Sequence, residues 1–303
     1  MNLLYLQKHF DNMDNEFGSR IGNYLTMEVK SHCENFYNYI GDLPQQFAKW
    51  APHKKFISAH VGKRYPVNWK VCQEAFMEAL HVVATHPQML AGAGDCNSQY
   101  DSFGNFTRAI TPNGTPSPHL PWIPSEQEIF DAITDKRLDE DSLAFIPEGM
   151  TARTFAAQVA RDRLRSAVPN VDDFCDAEVN DSMYFTLFPN FHPWGAFNRI
   201  NYRFRPVGKK VDECVMECIY TEDFEGDDRP PPAEYIELGL DQEWTELIPL
   251  IGNLGRVFQQ DSFNLPKVQK GLESFRADGL TLTKYQELKI RHWHSMAERF
   301  IAN

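Results

Sequence analysis

The stretch Asn68-Trp69-Lys70-Val71-Cys72-Gln73-Glu74-Ala75-Phe76-Met77-Glu78-Ala79-Leu80-His81-Val82-Val83-Ala84-Thr85-His86-Pro87 decides how the chain is read. Val71 to Thr85 holds neither Gly nor Pro, and its Ala, Leu, Met, Glu and Val predict a helix about four turns long. On a regular helix His81 and His86 point about 140° apart, a poor arrangement for gripping one ion. Pro87 changes this. A residue before proline is driven out of the α region, so the helix is predicted to end near Thr85 and to leave His86 on a distorted turn, able to swing toward the first imidazole.

Two imidazoles joined by one distant carboxylate hold a metal on one face and leave the opposite positions open, the arrangement favoured by non-haem Fe(II) sites that activate dioxygen. Ten His in 303 residues produce a five-residue spacing about 0.3 times by chance, so the flanking residues must carry the reading. With those flanks, the stretch resembles the iron-binding helix in the catalytic domain of the large (alpha) subunit of Rieske-type aromatic-ring-hydroxylating dioxygenases. There, Asn-Trp-Lys and spaced acidic residues lead to two His, and a later block carries the carboxylate, followed some residues on by Gln and Gly. Gln259-Gln260-Asp261-Ser262-Phe263-Asn264-Leu265-Pro266-Lys267-Val268-Gln269-Lys270-Gly271-Leu272 is similar to that block, and the resemblance runs from about Gly41 to near the C-terminus.

The resemblance implies that His81, His86 and Asp261 bind a mononuclear non-haem Fe(II). It puts Glu78 at the acidic position that connects the iron-bound His to a neighbouring subunit's Rieske cluster. Such a carboxylate also fixes the imidazole's tautomer. Leu80 replaces the Tyr common before the first His. Glu74 falls where some members have an Asn near the open coordination site, although a Glu74/Glu78 pair four apart also suits a solvated helix face. Ala75, Phe76, Val82, Ile251 and Val257 are the substrate-lining residues it implies. The expected fold is α+β of the helix-grip type (START/Bet v1-like), an antiparallel sheet around a long helix with a cavity between.

None of Cys33, Cys72, Cys96, Cys175, Cys214 and Cys218 has a His two or three residues later, so no [2Fe-2S] cluster is expected in this chain. Residues 1–35 read as an atypical leader or remnant and 36–303 as the mononuclear iron catalytic domain. Electrons are then expected from a separate Rieske-bearing subunit and reductase, in a homo- or hetero-oligomeric, trimeric ring.

A net charge of -12 argues against nucleic acid as a partner. No apolar run approaches the length of a membrane span, and Met1 to Arg20 lacks a signal-peptide pattern, so a cytoplasmic protein is expected. The Cys spacing fits reduced thiols better than a disulfide framework or a zinc site. Cys214 and Cys218 read as small apolar filling on one strand face.

Residues 91–120 are rich in Gly and Pro, with a strand expected within Tyr100 to Ile110. Ser125 with Glu128 forms a capping-box pattern, and Thr151 to Val168 reads as an amphipathic helix. Met183 to Phe188, Ala196 to Pro206 and Val211 to Thr221 read as antiparallel strands. Helical patterns return from Asp241 to Gln260. His292 and His294 read as surface residues of a C-terminal helix, whereas His192 either lines a pocket or lies in a loop.

The expected function is hydroxylation of a small hydrophobic aromatic substrate with dioxygen, as in aromatic hydrocarbon catabolism; ring dihydroxylation is the best-known reaction of the family it resembles, and monohydroxylation and demethylation also occur there and are not separated by the motif. Two rivals remain: an inactive or truncated START-like subunit that binds an apolar ligand or assembles with active partners, and a hydrolase using the same triad with zinc.

Overall fold

The computed structural model describes residues 36–134, 144–277 and 279–302, so the expected leader at 1–35 lies outside the described residues. In chain order the helices are α1 (Phe36–Ile40), α2 (Leu43–Ala48), α3 (Trp69–Glu74), α4 (Val82–Thr85), α5 (Glu126–Thr134), α6 (Ala152–Leu164), α7 (Asp176–Asn180), α8 (Ile248–Ile251), α9 (Leu254–Glu273) and α10 (Leu288–Ala302). The strands are β1 (Lys55–Tyr65), β2 (Gln99–Phe103), β3 (Phe106–Thr111), β4 (Ser182–Leu187), β5 (Phe191–Pro193), β6 (Ile200–Pro206), β7 (Cys214–Asp223) and β8 (Tyr235–Leu238). They form one sheet in the order β2-β3-β4-β5-β6-β7-β1-β8. Every pairing is antiparallel except β1 with β8, giving the α+β, helix-grip-like architecture that the sequence implied.

Alternation along the strands sorts residues to the two faces of the sheet. On one face Phe47, Trp50, Phe185, Leu187, Phe191 and Ile219 pack with Ala157 and Leu164 of α6. On the other, Val61, Tyr65, Tyr202, Phe204, Met216 and Cys218 pack with Trp244 of the 3-10 turn before α8 and with Phe258 and Leu265 of the long helix α9. Gly255 lets α9 seat closely, because a Cβ there would stand 2.9 Å from the Trp244 carbonyl oxygen. No helix among the described residues is long and apolar enough to cross a membrane.

The helix expected over Val71–Thr85 is not continuous. It stops at Glu74, and the chain turns through Ala75–His81 before resuming as α4. Tertiary bonds override helix propensity here. The Ala79 N–H donates to the Tyr100 hydroxyl at 3.0 Å and the His81 N–H to the Glu78 carboxylate at 2.9 Å, replacing helical carbonyls as acceptors. The end before Pro87 is as expected: α4 closes at Thr85, and His86 sits at φ -127°, ψ 55°, outside the helical region.

Other elements also differ from the sequence reading. Tyr100–Ile110 lies in a two-stranded hairpin, β2 and β3, turning at Gly104 with φ 39°. β1, β5 and β8 had no sequence assignment. Helix α6 ends at Leu164 rather than Val168, and β6 starts only at Ile200. The Ser125/Glu128 capping box is present, with the Ser125 N–H donating to Glu128 at 2.8 Å and the Glu128 N–H to Ser125 Oγ at 3.3 Å. Cys214 and Cys218 are both buried on β7.

Candidate metal centre

The break at Ala75–His81 and the turn at His86 bring the two imidazoles together. Their ring centroids are 5.4 Å apart and their planes cross at 76°. Helix α9, held against α3 and α4, delivers Asp261 from the opposite side. One ligand atom from each of His81, His86 and Asp261 lies within 4.8 Å of the others.

Each imidazole is oriented from behind. Glu78 Oε1 lies 2.9 Å from His81 Nδ1, leaving Nε2 to face the centre. Burial presses the His81 imidazole toward its neutral form, but the hydrogen bond and charge of Glu78 outweigh it and the pKa is raised. His86 Nδ1 lies 2.8 Å from Gln260 Oε1, and Gln260 is itself fixed by a reciprocal amide pair with Gln88, at 2.8 and 3.2 Å. Since Gln260 Oε1 already accepts from Gln88, the His86 Nδ1–H must donate to it. His86 Nε2 then aims at Asp261 Oδ1, 3.1 Å away.

In the neutral tautomer those two atoms are both acceptors, and only a proton or a cation between them makes that distance favourable. Two donors on adjacent positions around an ion, with bonds of about 2.1 Å, stand roughly 3.0–3.4 Å apart. The observed separation fits. Asp261 is 3% exposed, and among the described residues its ion-pair partner is His86 alone. A buried carboxylate without a full counter-charge is costly, so the donor set suits a divalent cation.

The surroundings are apolar and aromatic. Phe76 stands 5.2 Å from both Tyr202 and Phe204 and 6.3 Å from Phe258, measured between ring centroids. Phe258 lies one turn before Asp261 on α9. Burial pushes the hydroxyls of Tyr65 and Tyr202 and the thiol of Cys72 well up, so all three stay neutral around the one carboxylate.

Of the lining residues implied by the sequence, Ala75 and Phe76 pack against this cluster and Ile251 is buried within it. Val257 precedes Asp261 by four residues on α9, and Val82 accepts the His86 N–H at 2.9 Å, so both border the ligands. Glu74 differs. Its carboxylate turns to His294 of α10, 2.8 Å away, rather than into the aromatic cluster, in keeping with an outward helix face. His294 is thus paired, and His292 lies 3.0 Å from the Gly104 carbonyl.

His192 is not in a loop. It is buried on β5, between Thr186 Oγ1 and the Gln73 amide at 3.2 Å each, and burial, then Lys289, holds its pKa well below the usual value. The sequence reading missed Gln88, Tyr100 and Phe258. Only the amphipathic spacing of Phe258 with Asp261 signalled any of them.

No curated protein matches the chain. Among solved structures it is similar to a quaternary ammonium Rieske monooxygenase described in connection with carnitine oxidation by gut microbiota, at 14% identity and a TM-score of 0.50. That match covers 89% of this chain but 58% of the other, so the chain spans less than two thirds of its neighbour's length. A naphthalene 1,2-dioxygenase variant bound to phenanthrene matches at 12% identity and a TM-score of 0.44, over 81% of this chain and 50% of that one. At 14% identity, the likeness to the quaternary ammonium monooxygenase speaks for the fold alone. Residues 46–303 match the model of the ring hydroxylating alpha subunit (catalytic domain), and the chain belongs to that family.

Proposed function

We propose that this chain is the mononuclear iron domain of an oxygenase acting on an apolar, aromatic substrate, with Fe(II) held by His81, His86 and Asp261. The observation that carries the reading is the buried, facing pair of His86 Nε2 and Asp261 Oδ1 at 3.1 Å, a spacing that suits two ligands of one cation. Ferrous iron, when bound, supplies the one-electron chemistry that dioxygen requires. The protein's own groups do the rest. Glu78 and Gln260 each take the Nδ1 hydrogen of one imidazole, presenting both Nε2 atoms to the centre. Phe76, Tyr202, Phe204 and Phe258 exclude water and offer ring faces to a flat apolar substrate. Glu78, behind His81, is the residue through which a separate Rieske-bearing component would deliver electrons. Hydroxylation is the reaction we propose for the site, with dihydroxylation as its expected form.

The test is anaerobic loading with Fe(II), followed by oxygen uptake with a chemical reductant, or a peroxide shunt, over a panel of small aromatics. Stoichiometric iron and substrate-dependent uptake are expected, and both are lost in His81→Ala and Asp261→Ala while the fold persists. Full iron occupancy in either variant refutes the ligand assignment. Iron binding without turnover of any substrate points instead to an inactive subunit that binds an apolar ligand. A preference for zinc with hydrolysis points to the third reading.

A further inference from the structure

A second cluster of metal-ligating side chains lies in the loops that follow His86. Asp95 and Cys96 belong to a single 3-10 turn, Asp95–Asn97, and His119 comes from a loop 23 residues beyond Cys96. The two loops are stitched together by backbone bonds: Gly94 N–H to the Pro112 carbonyl at 2.9 Å, Gly114 N–H to Gly92 at 2.8 Å and Ser117 N–H to Leu90 at 2.7 Å. Gly94 is required for this approach, since a Cβ there would stand 2.8 Å from the Pro112 ring. His119 Nδ1 lies 3.1 Å from Asp95 Oδ2, 3.9 Å from Cys96 Sγ and 3.4 Å from Ser117 Oγ. A ligand atom from each of Asp95, Cys96 and His119 lies within 4.8 Å of the others.

A second observation points to a missing partner. Asp95 is wholly buried, and while its Oδ2 faces His119, its Oδ1 has no hydrogen-bond partner among the described residues. A carboxylate oxygen buried in that state is unfavourable, and a cation bound by the carboxylate compensates it.

We propose that Asp95, Cys96 and His119 form a zinc(II) site with its fourth position open to water. A tetrahedral zinc ion with N and O bonds of about 2.0 Å and an S bond of about 2.3 Å separates N from O by roughly 3.3 Å and N from S by roughly 3.5 Å. The distances present, 3.1 and 3.9 Å, need shifts of only a few tenths of an ångström. The thiolate makes the set softer than the two-imidazole, one-carboxylate centre and selects zinc over iron. Binding displaces the thiol proton to solvent, and no electron moves. The ion would pin the loop after His86 to the loop that leads toward α5. This site does not depend on the iron assignment.

The test uses the full chain, reduced, titrated with cobalt(II) and then with zinc. A thiolate-to-cobalt charge-transfer band is expected, and it should be bleached by about one equivalent of zinc. Cys96→Ser should abolish the band. His119→Gln, an exposed position, should weaken zinc binding at least tenfold with an unchanged circular dichroism spectrum. His81→Ala should leave the band intact, which separates failure here from failure at the iron centre. A band that persists in Cys96→Ser, or cobalt bound by the folded chain without any such band, overturns the assignment.

Discussion

Replacing Glu217 by Gln is expected to cost about 3 kcal/mol of stability at pH 7, and nearly nothing by pH 2. Glu217 sits on β7 with a side chain only 1% exposed, opposite Gly62 of β1. Arg203 engages it at 2.6–3.0 Å, Arg205 at 2.5 Å and His60 at 3.2 Å. Burial alone would raise its carboxyl pKa, but the hydrogen bonds from His60 and Arg203, the Arg203 charge, and the Arg205 hydrogen bond bring it from 4.5 down to about 2. A folded-state pKa below the unfolded one gives stability that is complete above about 4.5 and is lost as pH falls toward 2. The difference of about 2.5 units corresponds to roughly 3 kcal/mol. The assay is reversible urea unfolding of both proteins at intervals from pH 7 to pH 2. The gap between them should hold to about pH 4.5 and then close. A gap that stays constant across that range would show that the amide perturbs packing rather than charge, and would refute the reasoning.

Phe258→Ala removes a ring 1% exposed that touches Phe76, Tyr202 and Trp244, and is expected to cost about 3–5 kcal/mol, read as a lowered denaturant midpoint. Glu78→Ala should weaken Fe(II) binding about 10- to 100-fold by freeing the His81 tautomer, measured by anaerobic titration; unchanged affinity would separate Glu78 from the centre. Lys289 is fully buried, its Nζ held by the Tyr184 carbonyl at 3.2 Å, and burial holds its pKa well down against the pull of Glu78. A depressed lysine penalises folding below its ordinary value of 10.5, so Lys289→Met should raise the melting temperature at pH 7. That gain should shrink as pH approaches 10, and a fall at pH 7 would count against the argument.

Much of the centre was legible because its signals are local. Pro87 ends α4 by a steric rule that needs no tertiary context, and His86 lies where that rule puts it. The α+β class followed from period-two runs such as Ile200, Tyr202 and Phe204. What was not legible depends on contacts between distant segments. Ala75–His81 reads as helix from its residues alone, but Tyr100, 21 positions away, captures one of its N–H groups. Glu74 is drawn outward by His294 on a helix 220 residues later. β8 joins the sheet as a four-residue parallel edge, too short to stand out from its loop. Gln260 lay inside the recognised block, but its role behind His86 depends on Gln88, and nothing in the spacing ties the two.

Both oxygens of Glu78 are committed to a single residue, one to the backbone and one to the ring of His81. The reach of that side chain and the path of the turn are therefore a matched pair. An aspartate there, one methylene shorter, could satisfy the ring or the peptide, but not both along the present backbone. This single acid therefore ties the course of the polypeptide between α3 and α4 to the orientation of one imidazole.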